Sequence, residues 1–248
     1  LGVTLGDARL KAVAASARAA LSEAALGDRG ALASHRAAAF AALLALVRRR
    51  AVVAEVYDAM DAVADLAVTS LERADRTKAS KTMLAFLLTY PMGKKRRKHH
   101  LGQLLRGLDY AYEEGRCAAL DSLAAALRAL PARDVEDHAD AFFAALAARA
   151  ANEDAAEALR RVRGTLATLL RRLSDDARGA CRGRLASWLR EAAKREDRLE
   201  NFSGAEKLRR LRLCGARVAE AFADAGDARG AVFDGLVTAL DAADDDDA

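Results

Sequence analysis

Apolar residues recur at three- and four-residue steps almost throughout the chain, so each segment offers one apolar stripe, the pattern of successive amphipathic helices. Val56, Met60, Val63, Ala67 and Leu71 make one such stripe. Leu84, Leu87 and Leu88 make a shorter one that stops at Tyr90-Pro91-Met92-Gly93, where proline turns the preceding residue away from helix and glycine permits a turn. Leu101, Leu104, Leu105, Leu108 and Tyr112 begin the next stripe, and Cys117, Leu120, Leu123, Leu127 and Leu130 run up to Pro131. Asp134, Asn152 and Ser203, the last with Glu206 three residues on, are cap-type residues expected to open further helices.

Taken as pairs, these helices group as 31–50 with 53–73, 75–90 with 93–111, 113–130 with 134–150, 152–173 with 175–195, and 201–224 with 227–243. First helices then start about 38 to 49 residues apart, close to the period of HEAT and armadillo repeats. A helix pair of this kind cannot bury its apolar face alone, and neighbours must stack. The fold expected is all-α, an α–α superhelix or HEAT/armadillo-like solenoid of about five helix pairs. Residues 1–30 are read as a leading helix or the edge of a longer chain, 31–243 as the repeats, and 244–248 as an acidic tail. A compact bundle is the rival arrangement, since it carries the same stripes without the period.

Composition supports helices over sheet. About a quarter of the 248 residues are alanine, only two are proline and 5% are aromatic, whereas strands draw on β-branched and aromatic side chains. Cys117, Cys181 and Cys214 are odd in number and far apart, which suits neither a disulfide framework nor a zinc-ligand spacing and points to a reducing compartment. The longest apolar run, Ala37 to Val47, is too short to span a bilayer, so a soluble protein is expected. The start at Leu1 rather than Met suggests a piece of something longer.

Charge is unevenly placed. The net value is +4, but Asp241 and the run Asp244 to Asp247 leave +9 on the remainder. Lys94, Lys95, Arg96, Arg97 and Lys98 put five cations in a row, and Arg160 to Arg217 holds 17 basic against 7 acidic residues. Such zones are the electrostatic mark of contact with nucleic acid or another polyanion. On a helix over 152–173, Leu159, Val162, Leu166, Leu169, Leu170 and Leu173 share one arc, while Arg160 with Arg171 and Arg161 with Arg172 lie roughly opposite, spaced to meet two phosphates. The alternative is a solvated face in a chain where arginine outnumbers lysine 32 to 8.

The run from Lys94 to Lys98 resists that alternative best. It occupies the first turns of a helix, where each cation opposes the macrodipole by about 0.3 to 1 kcal/mol, yet a helix start with unpaired N–H groups and five cations favours phosphate. The same run could equally be read by a nuclear import receptor.

Chemistry finds no other foothold. Gly93-Lys94-Lys95 lacks the upstream glycine and the following Ser or Thr of a phosphate-binding loop, and there is no HExxH pair. His99 and His100 are adjacent and point about 100° apart on a helix, so they are not expected to share an ion. His35 stands alone; His138, four residues after Asp134, reads as a surface side chain beside a cap. Glu113 and Glu114 fit the acidic first turn of a helix, and the cysteines read as packing. No catalytic residue, metal site or cofactor is expected.

From Phe86 to Leu127 the chain reads FLLTYPMGKKRRKHHLGQLLRGLDYAYEEGRCAALDSLAAAL. Through Phe86-Leu87-Leu88, Tyr90-Pro91, Gly93, His100-Leu101, Leu108, Tyr110, Glu113, Gly115-Arg116 and Ala119-Leu120 it resembles the U3 small nucleolar RNA-associated protein 20 family, also called down-regulated in metastasis, very large HEAT-repeat components of the small-subunit processome. Looser likeness runs from Val56-Tyr57-Asp58 and Val68-Thr69-Ser70 to Ser187-Trp188-Leu189 and the Arg-rich helix near Leu208. The resemblance implies a nucleolar, non-catalytic scaffold that joins the 90S pre-ribosome with U3 ribonucleoprotein and other processome proteins. It also implies support for 18S rRNA maturation, with pre-ribosomal RNA as partner and neither a membrane nor a small-molecule substrate. The unbroken cationic run after Gly93 departs from the family's expected mixed turn, and Cys117-Ala118 is smaller and less polar than expected there. Lys94, Lys95, Arg96, Arg97 and Lys98, with Arg160, Arg161, Arg171 and Arg172, are therefore RNA contacts suggested by charge. The competing expectation is a HEAT-type nuclear transport or adaptor protein that binds protein partners.

Overall fold

The computed structural model describes residues 6–22, 29–196 and 202–227. Among these the chain is helical from end to end: α1 Asp7–Ser22, α2 Arg29–Arg48, α3 Ala54–Thr69, α4 Arg73–Thr89, α5 Lys94–Arg106, α6 Glu113–Ala129, α7 Ala132–Asp137, α8 Ala139–Asn152, α9 Ala156–Arg172, α10 Asp175–Glu196 and α11 Phe202–Asp224, with a 3-10 turn at Gly107–Asp109. No helix among the described residues is long and apolar enough to cross a membrane. The helix expected at 227–243 and the acidic tail lie outside the described residues.

The chain forms two units, residues 1–129 and 130–248. In the first, α1 packs along α2, α3 along α4, α1 against α3 and α2 against α4, while α6 rests on both α3 and α4. The fold is thus all-α, with helix pairs stacked in two layers in the manner of an α–α superhelix. The pairing differs from the one read off the stripes by one helix: α2 packs far more on α1 than on α3, which it was expected to partner. An apolar stripe records that a helix is buried, and is silent on which of its two neighbours shares the pair. In the second unit α8 packs on α9 and α10 on α11, and α11 also lies against both α8 and α9. Phe142, Phe143, Val162, Leu166, Leu169, Leu170, Val218 and Phe222 fill its core.

Several local expectations need correction. Leu71 is 93% exposed, because α3 ends at Thr69 and the residue sits in the following turn. The helix expected over 134–150 is broken at His138, whose φ of −120° separates α7 from α8. Asn152 closes α8 rather than opening α9, its side-chain amide donating to the Ala148 carbonyl at 2.9 Å. Glu153, buried to 1%, accepts instead from the N–H groups of Asp154 and Ala155 at 3.1 and 3.0 Å just ahead of α9.

Arginines close the turns of the first unit at a fixed interval. Arg76, early in α4, donates to the Ser70 and Leu71 carbonyls at 2.6 and 3.1 Å. Arg116, in the same place in α6, donates to the Tyr110 and Ala111 carbonyls at 2.9 and 2.8 Å. Donors and acceptors are all displaced by the same 40 residues, a repeat read in hydrogen bonds rather than in sequence identity. Gly115 belongs to the second of these turns for steric reasons, since a Cβ there would stand 2.3 Å from the Tyr110 ring and 2.6 Å from the Val68 carbonyl oxygen.

The Tyr-Pro break between α4 and α5 ties three segments together. Tyr90 is 2% exposed; its hydroxyl accepts from the Val53 N–H at 3.1 Å and donates to the Ala51 carbonyl at 2.7 Å, holding the α2–α3 turn. Tyr57, on α3, donates to the Pro91 carbonyl. The rings of Tyr57 and Phe86 each lie close to that of Tyr90, with centroids 5.0 and 5.2 Å away. Burying a Phe86-sized side chain contributes about 1.5 to 3 kcal/mol. Tyr90→Phe keeps the ring and removes only the hydroxyl, leaving a buried N–H unmatched, so it is expected to cost about 1 to 3 kcal/mol of unfolding free energy in urea. Unchanged stability would show that the turn's polar groups are satisfied without it.

Candidate nucleic-acid interface

Gly93 precedes α5 at the cap position and offers no side-chain cap, and the first turn holds no acidic residue. The first intrahelical bond there runs from the Arg97 N–H to the Gly93 carbonyl at 3.0 Å, so the N–H groups of Lys94, Lys95 and Arg96 precede the ladder. Lys94, Lys95, Arg96 and Lys98 are exposed and Arg97 is half-buried. Arg96 lies over the Tyr57 ring, its guanidinium carbon 4.0 Å from the centroid, a contact worth about 0.5 to 1 kcal/mol where exposed. The aromatic cluster under the Tyr-Pro break therefore seats the start of the basic run, and the lysines project from that seat.

One turn further along α5, the two histidines meet α3. His99 Nε2 stands 3.1 Å from Asp61 Oδ1, and Gln103 also donates to that oxygen. His100 is buried with its ring edge-on to Phe86, centroids 4.9 Å apart, and its Nδ1 donates to Gln103 Oε1 at 2.9 Å. Burial lowers the His100 pKa, and the bond to Gln103 only partly opposes it. For Asp61 burial pushes the pKa up, but the hydrogen bonds from His99 and Gln103 outweigh it and leave the carboxylate below its usual range.

The arginines of α9 are held differently. Arg160 and Arg161 both clasp Glu157, at 2.7 and 2.8 Å. Arg171 donates to the Asp224 carbonyl at 2.7 Å, and Arg172 to the Leu130 carbonyl at 2.6 Å. Between them Arg163 bridges Glu220 and Asp224 at 2.8 and 2.5 Å. The apolar arc is as expected, with Val162, Leu166, Leu169, Leu170 and Leu173 buried, although Leu159 is only half-buried. The arginines opposite that arc serve as clasps on their own helix and on neighbouring segments. The basic run of α5 and the α9 face lie in different units.

Other expected features have plain structural roles. Cys117, Cys181 and Cys214 are buried free thiols, and burial pushes Cys181 and Cys214 up to about 11, so both are protonated near neutrality. His138 Nδ1 bonds the Asp134 carbonyl at 2.9 Å, in place of the carboxylate. Sequence reasoning passed over Asp61 and Gln103, and met Tyr57 only within a looser likeness. The usable signal was the spacing: Asp61 precedes His99 by 38 residues and Gln103 by 42, about one repeat, which sets them side by side on stacked helices.

No protein-family model matches the chain. Over 114 residues, 46% of its length, it is 26% identical to U3 small nucleolar RNA-associated protein 20 of Schizosaccharomyces pombe, and the match spans 5% of that protein. Among solved structures it is similar to two crystal structures of engineered proteins. One is 15% identical, with 91% of this chain and 95% of that one covered and a TM-score of 0.39. The other is 14% identical, with 95% and 73% covered and a TM-score of 0.37.

Glu157 has a testable electrostatic signature. Its hydrogen bonds from Arg160 and Arg161 pull its pKa down to about 2. A carboxylate depressed on folding adds stability that is present above its unfolded pKa and is lost as pH falls through the folded one. Carboxyl NMR titration is expected to place Glu157 near 2, and Glu157→Gln to remove one component of the acid destabilisation between about pH 4.5 and 2. A midpoint near 4.5 would mean the clasp does not persist in solution.

Proposed function

We propose that the chain is a non-catalytic scaffold segment of a small-subunit processome component, supporting U3-dependent pre-rRNA processing and 18S rRNA maturation in the nucleolus. The observation that carries this reading is the 26% identity over 114 residues to a protein named for its association with U3 small nucleolar RNA. The stacked helix pairs suit it, because such arrays present long surfaces to large partners. Its partners are pre-ribosomal RNA, U3 ribonucleoprotein and neighbouring processome proteins.

Within that reading the run Lys94 to Lys98 is the main RNA contact. Its lysines are exposed at a helix start whose first N–H groups face outward along the axis, an arrangement that favours phosphate. Contact of this type reads the backbone and leaves base sequence unread. Arg160, Arg161, Arg171 and Arg172 add less, since each must share its guanidinium with an acceptor already in place.

Affinity purification of the intact protein is expected to recover U3 RNA and pre-ribosomal particles; recovery of import factors or cargo alone would favour the transport or adaptor reading. Replacing Lys94, Lys95 and Lys98 together by glutamine spares Arg96 on its tyrosine. Each lost phosphate contact removes about 0.7 from the slope of log affinity against log salt on single-stranded RNA, so the triple variant is expected to flatten that slope by about 2. An unchanged slope with lost nuclear accumulation would make the run an address instead.

A further inference from the structure

His99 and His100 leave α5 from adjacent positions, yet both bring a ring nitrogen to one carboxylate on α3. His99 uses Nε2, at the far tip of its ring, 3.1 Å from Asp61 Oδ1. His100 uses Nδ1, beside the root of its ring, 3.8 Å from the same oxygen. Rings that diverge can converge on a point when one offers its distal nitrogen and the other its proximal one. All three donor atoms lie within 4.8 Å of one another. In a four-coordinate ion with bonds of about 2.0 to 2.1 Å, donors stand roughly 3.4 Å apart, between the two separations found here.

We infer that Asp61, His99 and His100 form a binding site for a borderline divalent metal ion, Zn2+ foremost, that fastens α5 to α3. Two imidazoles and one carboxylate suit zinc and its first-row neighbours, whereas Ca2+ and Mg2+ ask for oxygen donors alone. Gln103 Oε1, 2.9 Å from His100 Nδ1, or a water supplies the fourth ligand. Without metal the same atoms form a hydrogen-bonded chain: His100 donates to Gln103, and Gln103 and His99 donate to Asp61. The ion replaces the two imidazole protons of that chain, and each neutral ring carries its proton on the other nitrogen.

Charge around the site is mixed, and its balance follows from the fold. Asp58 and Asp65 flank Asp61 about one turn away on the exposed side of α3, making a negative stripe. Arg18 meets that stripe at Asp58, at a loose 3.9 Å. Lys98 precedes His99 and opposes a cation, while Arg96 is turned over Tyr57. The site rests on side chains that the RNA proposal does not use, and it stands whether or not that proposal does.

The test uses the 248-residue chain, stripped with a chelator and titrated with Co2+ and then Zn2+. Binding is expected to produce the visible ligand-field bands of four-coordinate Co2+, which Zn2+ abolishes, and to raise the thermal midpoint, with no response to Mg2+ or Ca2+. His99 and Asp61 are about half-exposed, so His99→Ala and Asp61→Asn should keep the helical circular dichroism of the parent. Each is expected to weaken Zn2+ binding by at least about tenfold, since loss of supporting groups alone costs 10- to 100-fold. Absence of Co2+ bands together with an unmoved midpoint would overturn the site. Parent-like affinity in either folded variant would do so as well.

Discussion

A buried hydroxyl must find partners, and Tyr90 finds them one repeat away. Its oxygen is shared between the Val53 N–H and the Ala51 carbonyl, so the end of α4 cannot move without unmatching the turn between α2 and α3. An unpaired buried polar group costs about 1 to 3 kcal/mol, comparable to a large share of what a small helical unit can spare. Tyr57 repeats the constraint in the other direction by bonding the Pro91 carbonyl. Two reciprocal tyrosines thus fix where α5 starts and in which direction it leaves.

That constraint explains how an unfavourable helix start is tolerated. Five cations in the first turn and a half of α5 oppose the macrodipole, and no capping side chain offsets them. The start is held from beneath by the Tyr57, Phe86, Tyr90 and His100 rings, with Arg96 laid over Tyr57. Tertiary packing carries the cost that local propensity cannot, which is the usual source of helical stability in folded chains. Once the start is seated, the lysines beside it are left to solvent or to a ligand.

The two basic zones illustrate how little charge counting says about availability. By composition the stretch from Arg160 to Arg217 is the more cationic. Among the described residues, several of its arginines cap carbonyls and clasp carboxylates: Arg172 on Leu130, Arg217 on Ala150 and Glu153, Arg209 and Arg210 on Glu206. Arginine's planar fork suits it to such internal roles, whereas lysine, a compact and strongly hydrated charge, stays at the surface. The lysine-bearing run of α5 behaves accordingly.

Much of the architecture was legible in the sequence, because helix periodicity and alanine content act within a few residues of themselves. The stripes marked the helices, Pro91 marked the end of α4, and the resemblance ran along Tyr90, Gly115 and Arg116, each of which has a steric or hydrogen-bonding duty. The stripes could not say that α1 pairs with α2 rather than α2 with α3, that Leu71 would face solvent, or that His99 and His100 would both reach Asp61. Those outcomes depend on groups about 40 residues apart, brought together when one helix pair stacks on the next. Local physics selects the helices; only the stacking decides which distant side chains become neighbours, and therefore which charges are spent inside the fold and which remain to meet a partner.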